Sequence, residues 1–280
     1  MSEKITVIGP GKMGTGIVQV MLAAGYEVLL IGRSKEALDK GMALLSSSMD
    51  KAIEKQRMTR EQKTLLLSRL HITTNYAESA GSIAVIEAVT EDFNAKVSVL
   101  QEAEKNCGPA ILATNTSSIL LGKLAAKLKD PSKFLGMHFF NPVPVMKPIE
   151  LITTQFTSSE AEAKALEIAS RAGKTAIKVN DYPGFVANSV LMPLINEAIL
   201  LLENGVATKE GIDAIVRLGL NHPMGPLELA DFIGLDVCKD IMDSIYSETK
   251  DQKFKPVKLL VEMVKSGKLG RKSGEGFYKY

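Results

Sequence analysis

Three glycines in a fixed spacing constrain this chain more than any other feature. Ile5-Thr6-Val7-Ile8 is a short β-branched run, and Gly9-Pro10-Gly11-Lys12-Met13-Gly14 follows it. Thr15 to Ala24 is apolar enough for a helix closed by Gly25, and Glu27-Val28-Leu29-Leu30-Ile31 reads as a second buried strand. Strand, glycine turn, helix and strand thus succeed one another within about thirty residues, the setting in which G-x-G-x-x-G denotes a dinucleotide site. Gly9 permits the tight turn, Gly11 lets the backbone approach a pyrophosphate, and Gly14 lets helix and strand pack closely. The helix N-terminus then stabilises the anion. Gly9, Gly11, Lys12, Met13 and Gly14 are therefore candidate cofactor contacts. Glycines that merely shape a turn would fit the spacing alone, but not the strands on either side.

The end of the second strand departs from the usual NAD pattern. An acid for the adenosine ribose hydroxyls is expected there, and the chain has Gly32-Arg33-Ser34-Lys35 instead. With that carboxylate missing, Arg33 can make charge-assisted bonds to a 2′-phosphate, which favours NADP(H) over NAD(H). The other reading is a solvated Arg33, with NAD(H) held through other contacts. From Lys35 to Leu70 the apolar residues Leu38, Met42, Leu45, Met49 and Ile53 keep helical spacing, with a break and restart at Met58-Thr59-Arg60-Glu61. This is a helical hairpin inserted into the nucleotide fold. Its Lys51, Lys55 and Arg57 can either meet the phosphates of an acyl carrier or form a solvated face.

Two further strands are expected, Ser82 to Val89 and Ala110 to Ala113, both with polar residues crowding their C-terminal ends: Thr90-Glu91 and Thr114-Asn115-Thr116-Ser117-Ser118. Open α/β sheets bind ligands at that edge. A serine just before Ile119-Leu120-Leu121 also suits a helix N-cap, so one serine can cap while the other faces a ligand. From Pro183 onward strand signals vanish and helical periods dominate. The reading is an α/β doubly wound sheet over residues 1–182 and an all-α domain over 183–280.

The 34 basic and 32 acidic side chains leave a net charge of +2, which implies no broad attraction to nucleic acid. Cys107 and Cys238 lie too far apart in sequence for a ligand-spaced cluster, so neither a disulfide framework nor a metal site is expected. Met1 to Lys4 leads directly into the first strand without a secretory pattern, and the apolar stretch 185–202 is interrupted by Asn188, Pro193, Asn196 and Glu197. A cytoplasmic protein without a membrane span is the expectation.

At Gly136-Met137-His138-Phe139-Phe140-Asn141-Pro142-Val143-Pro144-Val145-Met146 the chain resembles the L-3-hydroxyacyl-CoA dehydrogenase family, and within it the short-chain 3-hydroxybutyryl-CoA dehydrogenases. The likeness extends through the nucleotide turn, Ile86-Glu87-Ala88, Asn115-Thr116-Ser117-Ser118, Pro183-Gly184-Phe185-Val186-Ala187-Asn188, Pro223-Met224-Gly225-Pro226 and the closing Gly270-Arg271-Lys272-Ser273-Gly274-Glu275-Gly276-Phe277-Tyr278. The resemblance implies a Rossmann-type first domain, a helical second domain that mediates a homodimer, an acyl-CoA substrate and a place in fatty acid and butanoate metabolism. It implies that His138 is the catalytic base, that Glu150 pairs with it, and that Ser117 and Asn188 contact the reacting oxygens. Glu91, Lys96, Asn141 and Lys272 match family positions near the nicotinamide half of the cofactor. Gly32 is the clearest departure, and it bears on cofactor choice.

The residues support the same chemistry. Oxidising a secondary alcohol by hydride loss requires a base near its working pH, and imidazole suits. Among the three histidines, His71 follows a charged helical stretch and reads as exposed, while His222 precedes Pro223 and reads as part of a turn. His138 ends a strand-like apolar run. Asn141-Pro142-Val143-Pro144 then reverses the chain, so that Pro148-Ile149-Glu150-Leu151-Ile152 can run back beside it and bring Glu150 to the imidazole. Asn188 sits on an apolar helix starting near Pro183, where Pro193 withdraws a backbone donor, so its amide serves either the helix or a ligand oxygen. Two other readings compete: a dehydrogenase for a free hydroxy acid, and a non-catalytic protein that keeps the fold.

Overall fold

Successive side chains on a strand point to opposite faces, and in the first unit this alternation decides which residues meet the helices on either side. A computed structural model describes residues 3–108 and 110–280, so the lead-in read at Met1 and Ser2 lies outside it. The chain divides into two compact units, one ending at Asp181 and the other spanning Tyr182–Tyr280. The first unit opens with β1 (Lys4–Ile8), α1 (Lys12–Ala23) and β2 (Glu27–Ile31). The hairpin α2 (Lys35–Glu54) and α3 (Arg60–Leu67) follows, then β3 (Leu70–Thr73), β4 (Ser82–Glu87), α4 (Phe93–Cys107) and β5 (Ile111–Thr114). The unit finishes with α5 (Leu121–Ala125), β6 (Phe134–Phe139), β7 (Pro148–Thr153), α6 (Ser159–Arg171) and β8 (Thr175–Asn180).

The strands form one sheet in the order β3-β2-β1-β4-β5-β6-β7-β8. Those from β1 to β6 run parallel, β7 turns back antiparallel to β6, and β8 lies parallel to β7. The order reverses beside β1, the switch point at which open α/β sheets form a ligand crevice. Ile5, Val7, Ala84, Ile86, Ala113, Leu135, Met137, Phe139, Ile149 and Leu151 share a core with the apolar sides of α1, α2, α3 and α6. By alternation Glu87, Thr114, His138 and Glu150 all face the other side of the sheet, where α4 and α5 pack. The doubly wound sheet and its inserted hairpin are as the sequence predicts. Ser34 caps α2, and Thr59 and Gln62 form a reciprocal capping box at α3.

Two strands had no clear signal. Leu70, the last residue of the expected hairpin, opens β3 (Leu70–Thr73), and β8 adds an eighth strand beyond α6. Both lie at the sheet edges and are largely solvated, so neither needs the apolar run that marks a central strand.

In the second unit α7 (Ala187–Glu203), α8 (Lys209–Gly219), α9 (Pro226–Ile233), α10 (Leu235–Thr249) and α11 (Lys258–Lys265) surround a core of Met192, Ile195, Ile199, Leu227, Met242 and Ile245, among others. Helix α7 starts at Ala187 and not near Pro183, because Gly184 (φ 79) and Phe185 (φ 50) are left-handed and a right-handed helix cannot run through them. Two buried aspartates fasten the C-terminal tail. Asp213 accepts from the Leu227 and Glu228 N–H groups and the Tyr278 hydroxyl, and Asp231 accepts from Phe277 N–H, Tyr278 N–H and the Tyr280 hydroxyl. No helix among the described residues is long and apolar enough to cross a membrane.

The glycine turn is closed at its first and third glycines and open at the second. Gly9 has φ +111, and a Cβ there would lie 2.5 Å from the Ala88 carbonyl oxygen; one on Gly14 would overlap the Gly9 carbonyl oxygen. Nothing lies within 4 Å of a Cβ on Gly11. Gly14→Ala should therefore lower stability by about 1–3 kcal/mol through overpacking, measured by urea unfolding, whereas Gly11→Ala should leave the unfolding midpoint nearly unchanged.

Candidate active site

His138 and Glu150 are direct cross-strand partners in the β6–β7 ladder. Opposed residues of an antiparallel pair project to the same side, so the reversal through Asn141 to Pro144 brings imidazole and carboxylate together on a buried face. The His138 Nδ1 to Glu150 Oε2 distance is 2.7 Å. An ionised buried carboxylate needs a donor, which places a proton on Nδ1; in the neutral imidazole the lone pair is then on Nε2. That tautomer can take a proton from an alcohol, and the carboxylate then stabilises the imidazolium. The Phe140 ring packs on the imidazole, with centroids 4.9 Å apart.

Next to this pair the ends of β4 and β5 are joined by buried ionic contacts. Lys96, 1% exposed, donates to both oxygens of Glu87, 0% exposed, at 2.9 and 3.2 Å. It also lies 3.3 Å from Glu91. Glu87 further accepts from Val89 N–H and the Thr114 hydroxyl. Glu91 Oε1 accepts from the Thr116 hydroxyl, the Ser117 and Ser118 N–H groups and the Ser118 hydroxyl. Thus Glu91 and Lys96, read from the resemblance as cofactor positions, also hold the turn that presents Ser117. Burial pushes the Glu91 carboxyl up, but the Lys96 ammonium and these hydrogen bonds outweigh it and hold it below the usual carboxylate range.

Thr114 and Asn115 lie in the polar run expected at the carboxyl end of β5, but their partners, and any role for Glu87, do not follow from the sequence. Asn115 donates its N–H to the Glu87 carbonyl and accepts from Phe139 N–H, stitching β5 to both neighbours. The available signal was Glu87 itself: an acid at the end of an apolar strand, placed by alternation on a buried face. The expected serine N-cap is not found. Helix α5 begins at Leu121, and Asp181, sixty residues on, accepts its Leu121 and Gly122 N–H groups. Ser118 is occupied with Glu91 instead, so a distant carboxylate does the capping.

The glycine turn, Arg33, Glu91, Ser117, His138 and Asn141 all lie at or just beyond the carboxyl ends of β1, β2, β4, β5 and β6. Arg33 and Asn141 are exposed. Helix α1 has no side-chain N-cap and no acid in its first turn, so its positive end, with Lys12 and Met13 at the start, suits a pyrophosphate. Gly32 is enclosed: a Cβ there would meet Leu38 Cγ at 2.7 Å. Lys51 and Lys55 are exposed at the far end of α2, about 30 Å of helix from Ser34. The structure does not gather them with the residues at the sheet edge. In the second unit Asn188 is buried in the first turn of α7, and Lys272 pairs with Asp236 at 2.5 Å. His71 is exposed beside Glu27, at 3.8 Å. Both cysteines are buried and unpaired, and no cluster of metal-ligating side chains occurs among the described residues.

The lowered Glu91 pKa makes the stability of the protein depend on pH. A carboxyl that binds its proton less readily folded than unfolded adds stability above the ordinary glutamate pKa and loses it as pH falls through the depressed value. The stability advantage of the protein over Glu91→Gln should therefore be larger at about pH 7 than at about pH 3, read from urea midpoints. A difference independent of pH would contradict the ionised role.

Residues 4–182 match the family domain "3-hydroxyacyl-CoA dehydrogenase, NAD binding domain", and residues 184–280 match "3-hydroxyacyl-CoA dehydrogenase, C-terminal domain". A probable 3-hydroxybutyryl-CoA dehydrogenase of Deinococcus radiodurans is 46% identical over 99% of this chain and 100% of its own length. The 3-hydroxybutyryl-CoA dehydrogenase of Clostridioides difficile is 44% identical over 99% of each chain. Among solved structures, the (S)-3-hydroxybutyryl-CoA dehydrogenase PaaH1 from Ralstonia eutropha superposes with a TM-score of 0.94 at 42% identity, covering 100% of this chain and 99% of that one. By sequence over its whole length and by fold, this chain belongs to the 3-hydroxyacyl-CoA dehydrogenase family.

Proposed function

We propose that the protein interconverts (S)-3-hydroxybutyryl-CoA and acetoacetyl-CoA, with His138 as general acid and base, Glu150 as its partner, and NADP(H) preferred over NAD(H). The observation that carries this reading is the buried His138–Glu150 pair at the carboxyl edge of the sheet, 2.7 Å apart. The open space at Gly11 and the uncapped start of α1 suit a dinucleotide pyrophosphate. When bound, the nicotinamide supplies the hydride acceptor for the alcohol or the donor for the ketone.

In the oxidising direction His138 Nε2 takes the 3-hydroxyl proton, and Glu150 stabilises the resulting imidazolium through Nδ1–H. In reduction the protonated imidazole returns that proton. The Ser117 hydroxyl and the Asn188 amide are assigned to the reacting oxygens, which they polarise by hydrogen bonding. Glu91, Lys96, Asn141 and Lys272 are assigned to the nicotinamide half of the cofactor. Lys51 and Lys55 are assigned to the CoA phosphates. The exposed Arg33, with no carboxylate at residue 32, supports NADP(H).

His138→Gln should lower kcat by about 10²–10⁴-fold with cofactor binding retained, followed by absorbance of the reduced cofactor with acetoacetyl-CoA. Unchanged turnover would remove His138 from the mechanism. Glu150→Gln should depress kcat and displace its pH profile. Parallel assays with NADH and NADPH test the cofactor, and a large preference for NADH would overturn that part. Turnover of 3-hydroxybutyrate without CoA would favour the free-acid reading.

The second unit is proposed as the substrate and homodimer unit. Ile215 and Leu218 on α8 are 70% and 80% exposed, apolar surface that a second copy would cover. Light scattering should give twice 30.3 kDa, and Leu218→Glu should return the single-chain mass. A strict monomer for the unaltered protein would end the dimer proposal.

A further inference from the structure

We infer that Lys174 is a positioning residue whose ammonium ties down the turn between β6 and β7 and so keeps His138 in register with Glu150. The inference rests on the proposed roles of those two side chains. Four residue pairs make the β6–β7 ladder: Gly136 with Ile152, Met137 with Leu151, His138 with Glu150, and Phe139 with Ile149. The catalytic pair is thus next to last before the turn, where fraying of a ladder begins.

The turn is held from two sides. Half-buried Lys174 donates to the Val143 carbonyl at 2.5 Å and the Met146 carbonyl at 2.6 Å. Its neighbour Thr175 donates its N–H to the Lys147 carbonyl, at the point where β8 begins to pair with β7. On the opposite side the Val143 side chain is buried against α1 at Gly16, where a Cβ would lie 2.9 Å from Val143 Cβ. Gly16 therefore sets how closely the turn approaches the helix that starts at the dinucleotide loop, and Lys174 prevents it from lifting away. Asn141 stands at the first end of the same turn, so the tether reaches that cofactor position as well.

Lys174→Met keeps the alkyl stem and removes only the donor. It should lower kcat about tenfold, with KM for acetoacetyl-CoA and for the reduced cofactor within about twofold, because a small misplacement of a reacting group costs turnover before it costs binding. Lys174→Arg should restore most of the loss. Amide hydrogen exchange over residues 138–150 should quicken in the Met variant, with α1 and β1 unchanged. Gly16→Ala, pressing on the turn from the other side, should quicken the same segment. Unchanged exchange over 138–150 in Lys174→Met overturns the inference whatever the activity, as does an Arg variant no better than Met. Turnover retained in His138→Gln would instead remove the proposed base, and the exchange result would still decide the role of Lys174.

Discussion

The arrangement depends on the register of one antiparallel strand pair. Because β7 returns beside β6 with Glu150 opposite His138, two side chains that would each be costly to bury alone satisfy one another. A slip of one residue would send the pair to opposite faces of the sheet. The turn at 140–147 therefore has to be definite, and proline content, the Val143 anchor and the Lys174 tether all restrict it.

Around that pair the sheet edge is organised by charge. Lys96 sits between Glu87 and Glu91, and the two carboxylates distribute its field to different tasks. Glu87 fixes the ends of β4 and β5, while Glu91 gathers the N–H groups of Ser117 and Ser118. In a low-dielectric site such networks hold shape only when every member is satisfied. The same residues thus fix the strand ends and position a serine without separate scaffolding for each role.

Much of the fold was legible because its central elements are apolar with a definite period. The strands at 5–8, 27–31 and 82–87, the glycine turn and the helices of the hairpin follow from local pattern alone. The edge strands β3 and β8 did not show, since half-solvated strands place few demands on composition. The start of α7 was misplaced because left-handed Phe185 leaves no mark that separates it from a helical residue. In the site, a proline-rich reversal of suitable length showed that His138 and Glu150 could meet, but not the register that makes them partners. The capping of α5 by Asp181 could not, because that contact joins residues sixty apart in sequence.

The sequence by itself determined the residue types that allow hydride chemistry and the order of the central strands and their helices, since both are set by local side-chain chemistry and periodicity. Tertiary structure decided which of those residues meet. Sheet register put His138 against Glu150, alternation turned Glu87 and Thr114 toward the same face, and chain crossing brought Lys174 under the 140–147 turn. These pairings come from packing between distant segments, and no local pattern encodes how far a returning strand slides before it locks.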